Sequence, residues 1–332
     1  MRAAIIGLGW WGKQITKCLS ESDTITVTHG MDPLKDMLRD FSDKNSMVLT
    51  DNFEQILANP EIDAVILATP HSIHEEQVIK AARAGKHVFC EKPLALQASG
   101  ARRMIAACKD AGVILGLGHE RRWEPAMEKA HALICGGAIG KLLHVETNFS
   151  HNIFANLKPG NWRLNDSDAP AGGMTALGIH LTDYLVSLVG PAKTVFARTG
   201  SIAFDPPNTD TVAVHITFES GITGLLTVLI TTPFYGRMTI FGDRGWIELR
   251  EVSNVDHDDP AEMIVCDHEG KRNVSLHPVA NVVRMNFESW ASAVAGKSEY
   301  RIKPEEMVAN IALLEAIVTS SQTGKPVELQ AS

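Results

Sequence analysis

The first third of the chain alternates short apolar runs with patterns of helical spacing. Continuous apolar runs such as residues 63–68 are typical of strands that are buried on both faces of a parallel sheet. The predicted strands are 3–6, 24–28, 63–68, 86–90 and 113–117, and the predicted helices begin after Gly12 and cover 52–57, 74–84 and 98–111. This alternation predicts right-handed crossovers and a mostly parallel sheet.

Beyond residue 137 the pattern changes to strands, several of which alternate apolar and polar positions. Strands are predicted at 142–149, 193–198, 211–218, 222–230, 237–241, 246–249 and 327–329, and helices at 125–135, 284–295 and 304–322. Short turns at 219–221 and 242–245 favour hairpins, and therefore an antiparallel sheet. The polar, acidic stretch 252–274 is interpreted as a loop with one short strand.

These patterns predict an α/β domain followed by an α+β domain, because 332 residues exceed one typical core. Residues 1–121 are assigned to a doubly wound parallel sheet. Residues 122–332 are assigned to an α/β domain built on a large open, mostly antiparallel sheet. One face of that sheet is expected against helices, and the other is available to a partner subunit.

Composition narrows the classes of function. The formal charge of -8 and the absence of a dense Lys/Arg run argue against nucleic acid as a partner. Five widely spaced cysteines without a Cys-x-x-Cys pair indicate thiols in a reducing compartment. We expect a cytoplasmic protein that does not enter membranes, since the chain starts directly in a strand and contains no apolar run of about 18 residues.

A glycine turn follows the first strand and precedes a helix. In this context Gly7 is expected to form the tight turn, Gly9 to let the backbone approach a pyrophosphate, and Gly12 to allow close packing of helix on strand. The amino terminus of the helix would supply N–H donors and a positive dipole to the phosphates. The turn therefore predicts dinucleotide binding.

Asp32 lies twenty positions after Gly12, where an acid that binds the ribose is expected. A carboxylate there accepts hydrogen bonds from the ribose hydroxyls and repels a 2′-phosphate, which favours NAD over NADP. Alternatively, Asp32 starts the Asp-Pro turn or caps the next helix. Arg39 is close enough in sequence to serve a 2′-phosphate, so NADP stays possible.

The stretch Val88-Phe89-Cys90-Glu91-Lys92-Pro93 is a buried-looking strand that ends in a charged pair. Ligands of open α/β sheets bind at the carboxyl ends of the strands, so Glu91 and Lys92 can meet a bound cofactor. Taken alone, such residues are more often a solvated strand end.

The chain resembles the glucose-fructose oxidoreductase, inositol dehydrogenase and MocA-like (Gfo/Idh/MocA) oxidoreductases. The residues that carry the resemblance are Gly7 to Gly12, Ala68-Thr69-Pro70, Ala84 to Val88 running into Glu91-Lys92-Pro93, Arg122 to Pro125, Trp162-Arg163, and Gly172-Gly173 followed by Gly178, His180 and Asp183. The resemblance implies a Rossmann domain and a large open antiparallel sheet. It also implies NAD(P)-dependent oxidation of a sugar or polyol hydroxyl by a homodimer or homotetramer that packs through that sheet.

The glycine turn, Asp32 and this resemblance together give the expected site residues. Those for the cofactor are Gly7, Gly9, Trp10, Trp11, Gly12, Asp32, Ala68, Thr69, Pro70, His71, Glu91 and Lys92. Those for the substrate are Lys92, Arg122, Trp162, Arg163, Thr175 and His180, of which Lys92 and His180 are the expected catalytic pair. The glycines near His180 are expected to let the backbone approach a ligand.

Removing a hydride from a carbinol requires that the hydroxyl proton also leaves, so a group of matched pKa must touch that oxygen. A lysine beside an oxidised nicotinamide has its neutral form favoured, and a histidine can share or relay the proton. Considered alone, His180 is more often a hydrogen-bonded structural histidine. Asp183 is expected to orient the helix.

Two positions depart from the family's pattern. Ala176 stands where the family usually has aspartate, and Glu120 stands where it often has asparagine. His180 with Lys92 can do the proton work alone, or Thr175 or a water can substitute. Alternatively, the protein is a dinucleotide-binding sensor without catalysis. Aromatic residues at 123, 149, 154 and 162 leave open a dehydrogenase of a non-sugar diol.

No metal is expected. The spacings of His71 with His74 and of His180 with Asp183 lack a convincing third ligand, and hydride chemistry does not need a metal. The acids at 256, 258 and 259 are spaced irregularly, which favours a solvated loop over a calcium site.

Overall fold

The computed structural model describes residues 1–154, 157, 160–203, 209–251 and 259–329. The chain divides into two compact units: Met1–Glu120 with Val283–Pro304, and Arg121–Val282 with Glu305–Ser332. The sequence prediction has one boundary, between residues 121 and 122. It therefore assigns to the second domain a segment, Val283–Pro304, that packs in the first unit.

Regular elements account for most of the described chain. The strands are β1 (Arg2–Ile6), β2 (Thr26–Met31), β3 (Val48–Thr50), β4 (Ala64–Leu67), β5 (His87–Cys90), β6 (Leu115–Leu117), β7 (Leu142–Ser150), β8 (Ala192–Gly200), β9 (Thr211–Phe218), β10 (Thr223–Leu229), β11 (Tyr235–Gly242), β12 (Gly245–Glu251), β13 (Ala261–Cys266), β14 (Arg272–His277) and β15 (Val327–Glu328). The helices are α1 (Trp10–Leu19), α2 (Arg39–Lys44), α3 (Phe53–Ala58), α4 (His74–Arg83), α5 (Ala98–Asp110), α6 (Pro125–Cys135), α7 (Gly178–Val189), α8 (Val282–Val294) and α9 (Pro304–Thr323).

The first unit is built on a six-stranded sheet with the order β3-β2-β1-β4-β5-β6. Every pair of neighbouring strands is parallel, which confirms the predicted sheet. All four residues of β4 are fully buried, as expected for a central strand covered on both faces. The sequence prediction missed β3 and α2, since β3 has only three residues and α2 is a short helix rich in polar residues. The strand order reverses between β1 and β4, where such sheets bind ligands at the carboxyl edge.

The second unit is built on a nine-stranded sheet with the order β14-β13-β12-β11-β7-β10-β9-β8-β15. Its neighbours are antiparallel except β7 and β10, which are parallel, so the prediction of a mostly antiparallel sheet is confirmed. The alternation in β9 buries Val212, Val214 and Ile216 and exposes Ala213 and His215 between them.

The interpretation of 252–274 as a loop with one strand is wrong for its described part. Residues 259–274 contain β13 and the first half of β14, and the two strands pair from Ala261 with His277 to Cys266 with Arg272. Five of the six residues of β14 are exposed and its composition is mostly polar, so it lacks the apolar signal of a strand. Asp256 and Asp258 lie outside the described residues.

Helix α8 joins the first unit through an aromatic cluster. The Phe287 ring stacks on Phe89 of β5 at a centroid distance of 3.8 Å, and the Trp290 ring meets Phe89 edge-on at 5.4 Å. Trp290 is fully buried, and its Nε1–H donates to the carbonyl oxygen of Ile114 at 3.2 Å. These contacts explain why Val283–Pro304 belongs to the first unit. Among the described helices, none combines the length and apolar character needed to cross a bilayer.

We expect Trp290→Ala to lower the free energy of unfolding by about 3–5 kcal/mol, because it removes a fully buried indole from the aromatic cluster. Urea unfolding followed by circular dichroism measures the change. The control is Ser289→Ala on the same helix, which should stay within about 0.5 kcal/mol of the wild type. Equal stability of the two variants would contradict a structural role of α8 in the first unit.

Candidate functional site

The turn between β1 and α1 needs glycine at two of its three glycine positions. Gly7 has a φ of +90°, and a Cβ there would lie 2.6 Å from the carbonyl oxygen of Ala68. A Cβ on Gly12 would collide with the carbonyl oxygen of Gly7. At Gly9, by contrast, an added Cβ meets no described atom within 4 Å. Protein packing therefore explains Gly7 and Gly12, whereas the open side of Gly9 is available to a ligand.

Helix α1 begins at Trp10 with its amino terminus uncapped by any side chain of the described residues. Its first turn also lacks an acidic residue. Free N–H groups and the positive end of the helix dipole favour an anion at this point. The ring centroids of Trp10 and Trp11 lie 5.5 Å apart beside the turn, with Trp10 59% exposed.

Asp32 follows directly after β2 and is joined to the glycine turn. Its Oδ2 accepts a hydrogen bond from the backbone N–H of Leu8 at 2.8 Å, and its Oδ1 accepts one from Leu34 at 2.9 Å. Asp32 therefore starts its own turn and also lies against the glycine turn, while its role as the ribose-binding acid stays a prediction. Each oxygen keeps a lone pair for a ribose hydroxyl. Arg39 forms an exposed ion pair with Asp36 at 2.8 Å.

The segment after β4 lies against the same turn. The carbonyl of Ala68 approaches Gly7, and the hydroxyl of Thr69 donates to Oε1 of Gln77 on α4 at 2.6 Å. His71 is buried, and its ring centroid lies 5.8 Å from that of His74. The described residues contain no group of three His, Cys, Asp or Glu side chains arranged for a metal ion.

Glu91 is a buried carboxyl at the carboxyl end of β5. Its Oε2 accepts a long hydrogen bond of 3.3 Å from the backbone N–H of Lys92, and a Cβ on Gly118 would lie only 2.5 Å from the same oxygen. Burial and the neighbouring charge of Glu120 raise the pKa of Glu91 to about 8, although the Trp11 indole and Lys92 act against this rise. Glu91 is therefore largely protonated at neutral pH.

Lys92 is half-buried next to this carboxyl and precedes a cis peptide bond to Pro93. Glu120 follows β6 and is itself 5% exposed. The interaction between Glu91 and Glu120 was not predicted from the sequence, since 28 residues separate them and no spacing rule links them. The order of the parallel strands, in which β6 lies next to β5, is the signal that could have suggested it.

In the second unit, Arg122 makes a charge cluster with two carboxylates. Its Nε and Nη2 donate to both carboxylate oxygens of Asp183 on α7, each at 2.6 Å, and its Nη1 donates to Glu306 on α9 at 2.6 Å. Arg122 and Asp183 are both buried. The guanidinium of Arg122 is directed at these acids, and the expectation that it contacts substrate stays a prediction. It positions α7, the helix that carries His180.

The glycines before α7 serve packing within the second unit. A Cβ on Gly172 would collide with the Thr209 hydroxyl, and a Cβ on Gly173 would lie 2.6 Å from Val228. Packing therefore explains Gly172 and Gly173, and the expectation that the backbone near His180 approaches a ligand stays a prediction. Thr175 is 1% exposed, and its hydroxyl has no hydrogen-bond partner among the described residues. A polar ligand or a water could satisfy it.

His180 is buried in the first turn of α7, with its ring centroid 6.5 Å from that of Phe149. The guanidinium of Arg121 also lies 4.2 Å from the Phe149 centroid, and it pairs with Glu251 at 2.9 Å. This second buried ion pair was also missed, because β12 and residue 121 are far apart in sequence.

Trp162 and Arg163 form one stacked pair. They lie in a single turn of 3-10 helix, Trp162–Leu164, which the side chain of Asn161 caps by accepting from the Arg163 backbone N–H at 3.0 Å. The guanidinium of Arg163 lies 4.2 Å from the Trp162 ring centroid, and burial lowers its pKa. The pair presents a flat apolar and cationic surface, which suits hydroxyl-bearing or anionic ligands.

The expected site residues thus fall into two sets. The cofactor set and Lys92 belong to the first unit, where the turn, Asp32 and Ala68 lie close together. Arg122, Trp162, Arg163, Thr175 and His180 belong to the second unit, where Arg122 is bound to the helix of His180.

Comparison with known proteins gives two matches to models of one family. A model described as "Oxidoreductase family, NAD-binding Rossmann fold" matches residues 1–119, and one described as "GFO/IDH/MocA C-terminal domain" matches residues 127–248. The 1,5-anhydro-D-fructose reductase of Ensifer adhaerens is 29% identical over 280 residues, which cover 83% of each protein.

Solved structures resemble the whole chain. The aldose-aldose oxidoreductase from Caulobacter crescentus, complexed with glycerol, has a TM-score of 0.88 at 25% identity and 99% coverage of both chains. Levoglucosan dehydrogenase in complex with NADH and L-sorbose has a TM-score of 0.87 at 21% identity and 99% coverage of both chains. At 21% identity, the similarity to levoglucosan dehydrogenase shows a shared fold alone.

The raised pKa of Glu91 makes stability depend on pH. Because the folded protein holds this proton up to about pH 8 and an ordinary glutamate releases it near 4.5, the contribution of Glu91 to the free energy of unfolding falls as pH rises between these values. We expect Glu91→Gln to gain stability relative to the wild type on going from pH 5 to pH 8.5. Urea unfolding across this range measures the difference.

The control for this measurement is Glu219→Gln, at an exposed turn position. Its stability relative to the wild type should not change with pH in the same range. A pH-independent difference for Glu91→Gln as well would contradict the assignment of a buried, protonated carboxyl.

Proposed function

Because the chain belongs to the Gfo/Idh/MocA oxidoreductases, with an NAD-binding Rossmann domain at its amino terminus, we propose that it is an NAD-dependent dehydrogenase of sugars, inositols or similar polyols. It would transfer a hydride between a hydroxyl-bearing carbon and nicotinamide. The observation that carries the proposal is the glycine turn, in which Gly9 faces open space while the Asp32 carboxylate is bound to Leu8.

The residues of the first unit fit the cofactor. The uncapped amino terminus of α1 and the open side of Gly9 suit a pyrophosphate, and the Asp32 oxygens suit ribose hydroxyls. The negative charge of Asp32 disfavours a 2′-phosphate, and the nearby Arg39 is paired with Asp36 on the surface. NAD is therefore proposed as the preferred cofactor, with NADP as the alternative. When bound, oxidised nicotinamide accepts the hydride from the substrate carbon.

The proton of the substrate hydroxyl is assigned to Lys92 and His180. Lys92 is half-buried at the carboxyl end of β5, where its neutral amine can accept the proton. His180 is buried on a helix that the Arg122–Asp183 pair holds in place. The unsatisfied Thr175 hydroxyl is proposed as a substrate contact and takes over part of the role of the acid that Ala176 replaces. Trp162 and Arg163 are proposed to bind the remaining substrate hydroxyls.

A sugar or polyol is the proposed substrate class for two reasons. The reductase of Ensifer adhaerens, to which 83% of the chain aligns, is named for a sugar derivative. In addition, Phe149, Phe154 and Trp123 are all at least 94% buried, so three of the four aromatic residues that would favour a planar diol offer it little surface, and Trp162 alone is half-buried. A non-catalytic sensor stays the second candidate, because Ala176 lacks the carboxylate found in the family's pattern.

Self-association through the nine-stranded sheet is proposed as well. The strand register places Leu225 and Val274 on the same face, and they are 43% and 60% exposed. Apolar side chains on an open face favour association with a second copy, as a homodimer or homotetramer. The small-molecule substrate would be the only other partner.

A cytoplasmic location is proposed from the five cysteines, since no disulfide is present among the described residues.

We expect reduced nicotinamide to form when the protein and NAD are mixed with a panel of sugars, inositols and cyclic diols. Lys92→Ala and His180→Ala should each lower kcat at least about 100-fold, because both remove a group that handles the proton. Their affinity for NADH should stay within about threefold of the wild type. Absorbance at the reduced-nicotinamide band follows turnover, and nicotinamide fluorescence follows binding.

Lys109→Ala is the matched control, since it removes an exposed lysine from the same unit. Its turnover should equal that of the wild type. If Lys92→Ala also retains full turnover, the assigned role of Lys92 is wrong. If the wild type binds NADH but oxidises nothing in the panel, the sensor becomes the better account.

A further inference from the structure

His74 is a buried histidine that joins two loops of the first unit. It is the first residue of α4, and its side chain is completely buried. Its Nδ1 lies 3.0 Å from the carbonyl oxygen of Pro93, and its Nε2 lies 3.1 Å from that of Thr69. The ring therefore bridges the loop after β5, which carries Lys92, and the loop after β4, which carries Thr69.

The two bridged loops leave neighbouring strands at the same edge of the sheet. Strands β4 and β5 are paired in parallel, with Leu67 opposite Cys90. Helix α4 contacts the loop after β4 a second time, since Gln77 accepts a hydrogen bond from the Thr69 hydroxyl at 2.6 Å. One rigid helix thus contacts both loops at the edge where the cofactor is proposed to bind.

The two contacts of His74 are not equivalent. A neutral imidazole carries one N–H and can donate to only one of the two carbonyls, and burial lowers the pKa of His74 against the opposing effect of these carbonyl contacts. The contact with Pro93 is the shorter and is fully buried, whereas that with Thr69 is partly buried. An unpaired carbonyl oxygen costs more free energy where water cannot reach it, and the Pro93 carbonyl is the more buried of the two. The imidazole proton is therefore assigned to Nδ1, which faces Pro93.

We propose that His74 is a positioning residue, which holds the backbone after Lys92 by donating from Nδ1 to the carbonyl of Pro93. The proposal rests on the proposed function, in which Lys92 handles the substrate proton. His74 itself is completely buried, so its proposed effect on the reaction is exerted through the backbone that it holds. Its contribution is to keep the lysine in one orientation at the end of β5, where a displacement of about 1 Å can cost about 100-fold in rate.

Three substitutions of His74 distinguish its contact with Pro93 from its contact with Thr69. An asparagine amide can place a donor near the position of Nδ1, a glutamine amide can place one near Nε2, and leucine fills the space without a donor. We expect His74→Leu and His74→Gln to lower kcat by about 10–100-fold, with KM and NADH affinity within about threefold of the wild type. His74→Asn should restore kcat to within about threefold. The pH dependence of kcat should shift in the first two variants and be normal in the third.

Val78→Ala controls for lost stability. Val78 lies one turn after His74 on the same face of α4, is fully buried, and belongs to neither loop. Its substitution should lower the melting temperature without changing kcat. If kcat instead falls in all four variants in proportion to lost stability, His74 has only a structural role and the proposal is overturned. If His74→Gln kept a normal kcat and His74→Asn did not, the assignment of the hydrogen bond to the Pro93 carbonyl would be overturned.

A second readout does not depend on turnover. The rate at which Lys92 reacts with an amine-acylating reagent, measured by mass spectrometry on the cofactor-free protein, reports its surroundings directly. We expect a change of at least threefold in His74→Leu, and none in His74→Asn or Val78→Ala. An unchanged rate in His74→Leu would overturn the proposal.

Lys92→Ala, assayed in parallel, distinguishes failure of the proposed function from failure of this inference. If Lys92→Ala keeps its turnover, the proposed catalytic role fails, whatever the His74 variants do. If Lys92→Ala is inactive and His74→Leu is fully active with normal acylation, only the role of His74 fails.

Discussion

The close approach of three backbone segments at the β1–α1 turn is the constraint on which the first unit depends. Gly12 packs on the carbonyl of Gly7, and Gly7 in turn packs on Ala68 after β4. The Leu8 N–H of the same turn holds the Asp32 carboxylate after β2. A side chain at position 7 or 12 would force these segments apart. The ends of three strands and the start of α1 therefore meet at one edge, which gives the sheet a place for a dinucleotide.

Buried charge is used differently in the two units. In the second unit Arg122 is neutralised by Asp183 and Glu306 with good geometry, and burying such a cluster fixes orientation more than it adds stability. In the first unit burial, together with the neighbouring charge of Glu120, raises the pKa of Glu91, which costs stability at alkaline pH. Perturbed pKa values of this kind cluster at functional sites, which supports the proposed cofactor site at the carboxyl end of β5.

The sequence predicted the parallel sheet and the glycine turn because both depend on local signals, namely apolar runs and glycine spacing. A fixed distance along the chain also singled out Asp32, whose ribose-binding role stays a prediction. It did not predict that α8 returns to the first unit, because the stacking of Phe287 on Phe89 joins residues almost 200 positions apart. Sequence motifs also identified residues whose structural roles they did not predict. Gly172 and Gly173 serve packing, and Lys86 donates to two backbone carbonyls, at Asn59 and Ile62, both at 2.7 Å.

The most direct test of the account is the affinity of Gly9→Ala for NADH, titrated by nicotinamide fluorescence. Among the glycines of the turn, Gly9 has open space where a Cβ would stand, so the substitution should leave the free energy of unfolding within about 0.5 kcal/mol of the wild type. If the pyrophosphate occupies that space, binding should weaken at least about tenfold, or about 1.4 kcal/mol. Unchanged affinity in a variant of unchanged stability would contradict the claim that the glycine turn binds the cofactor.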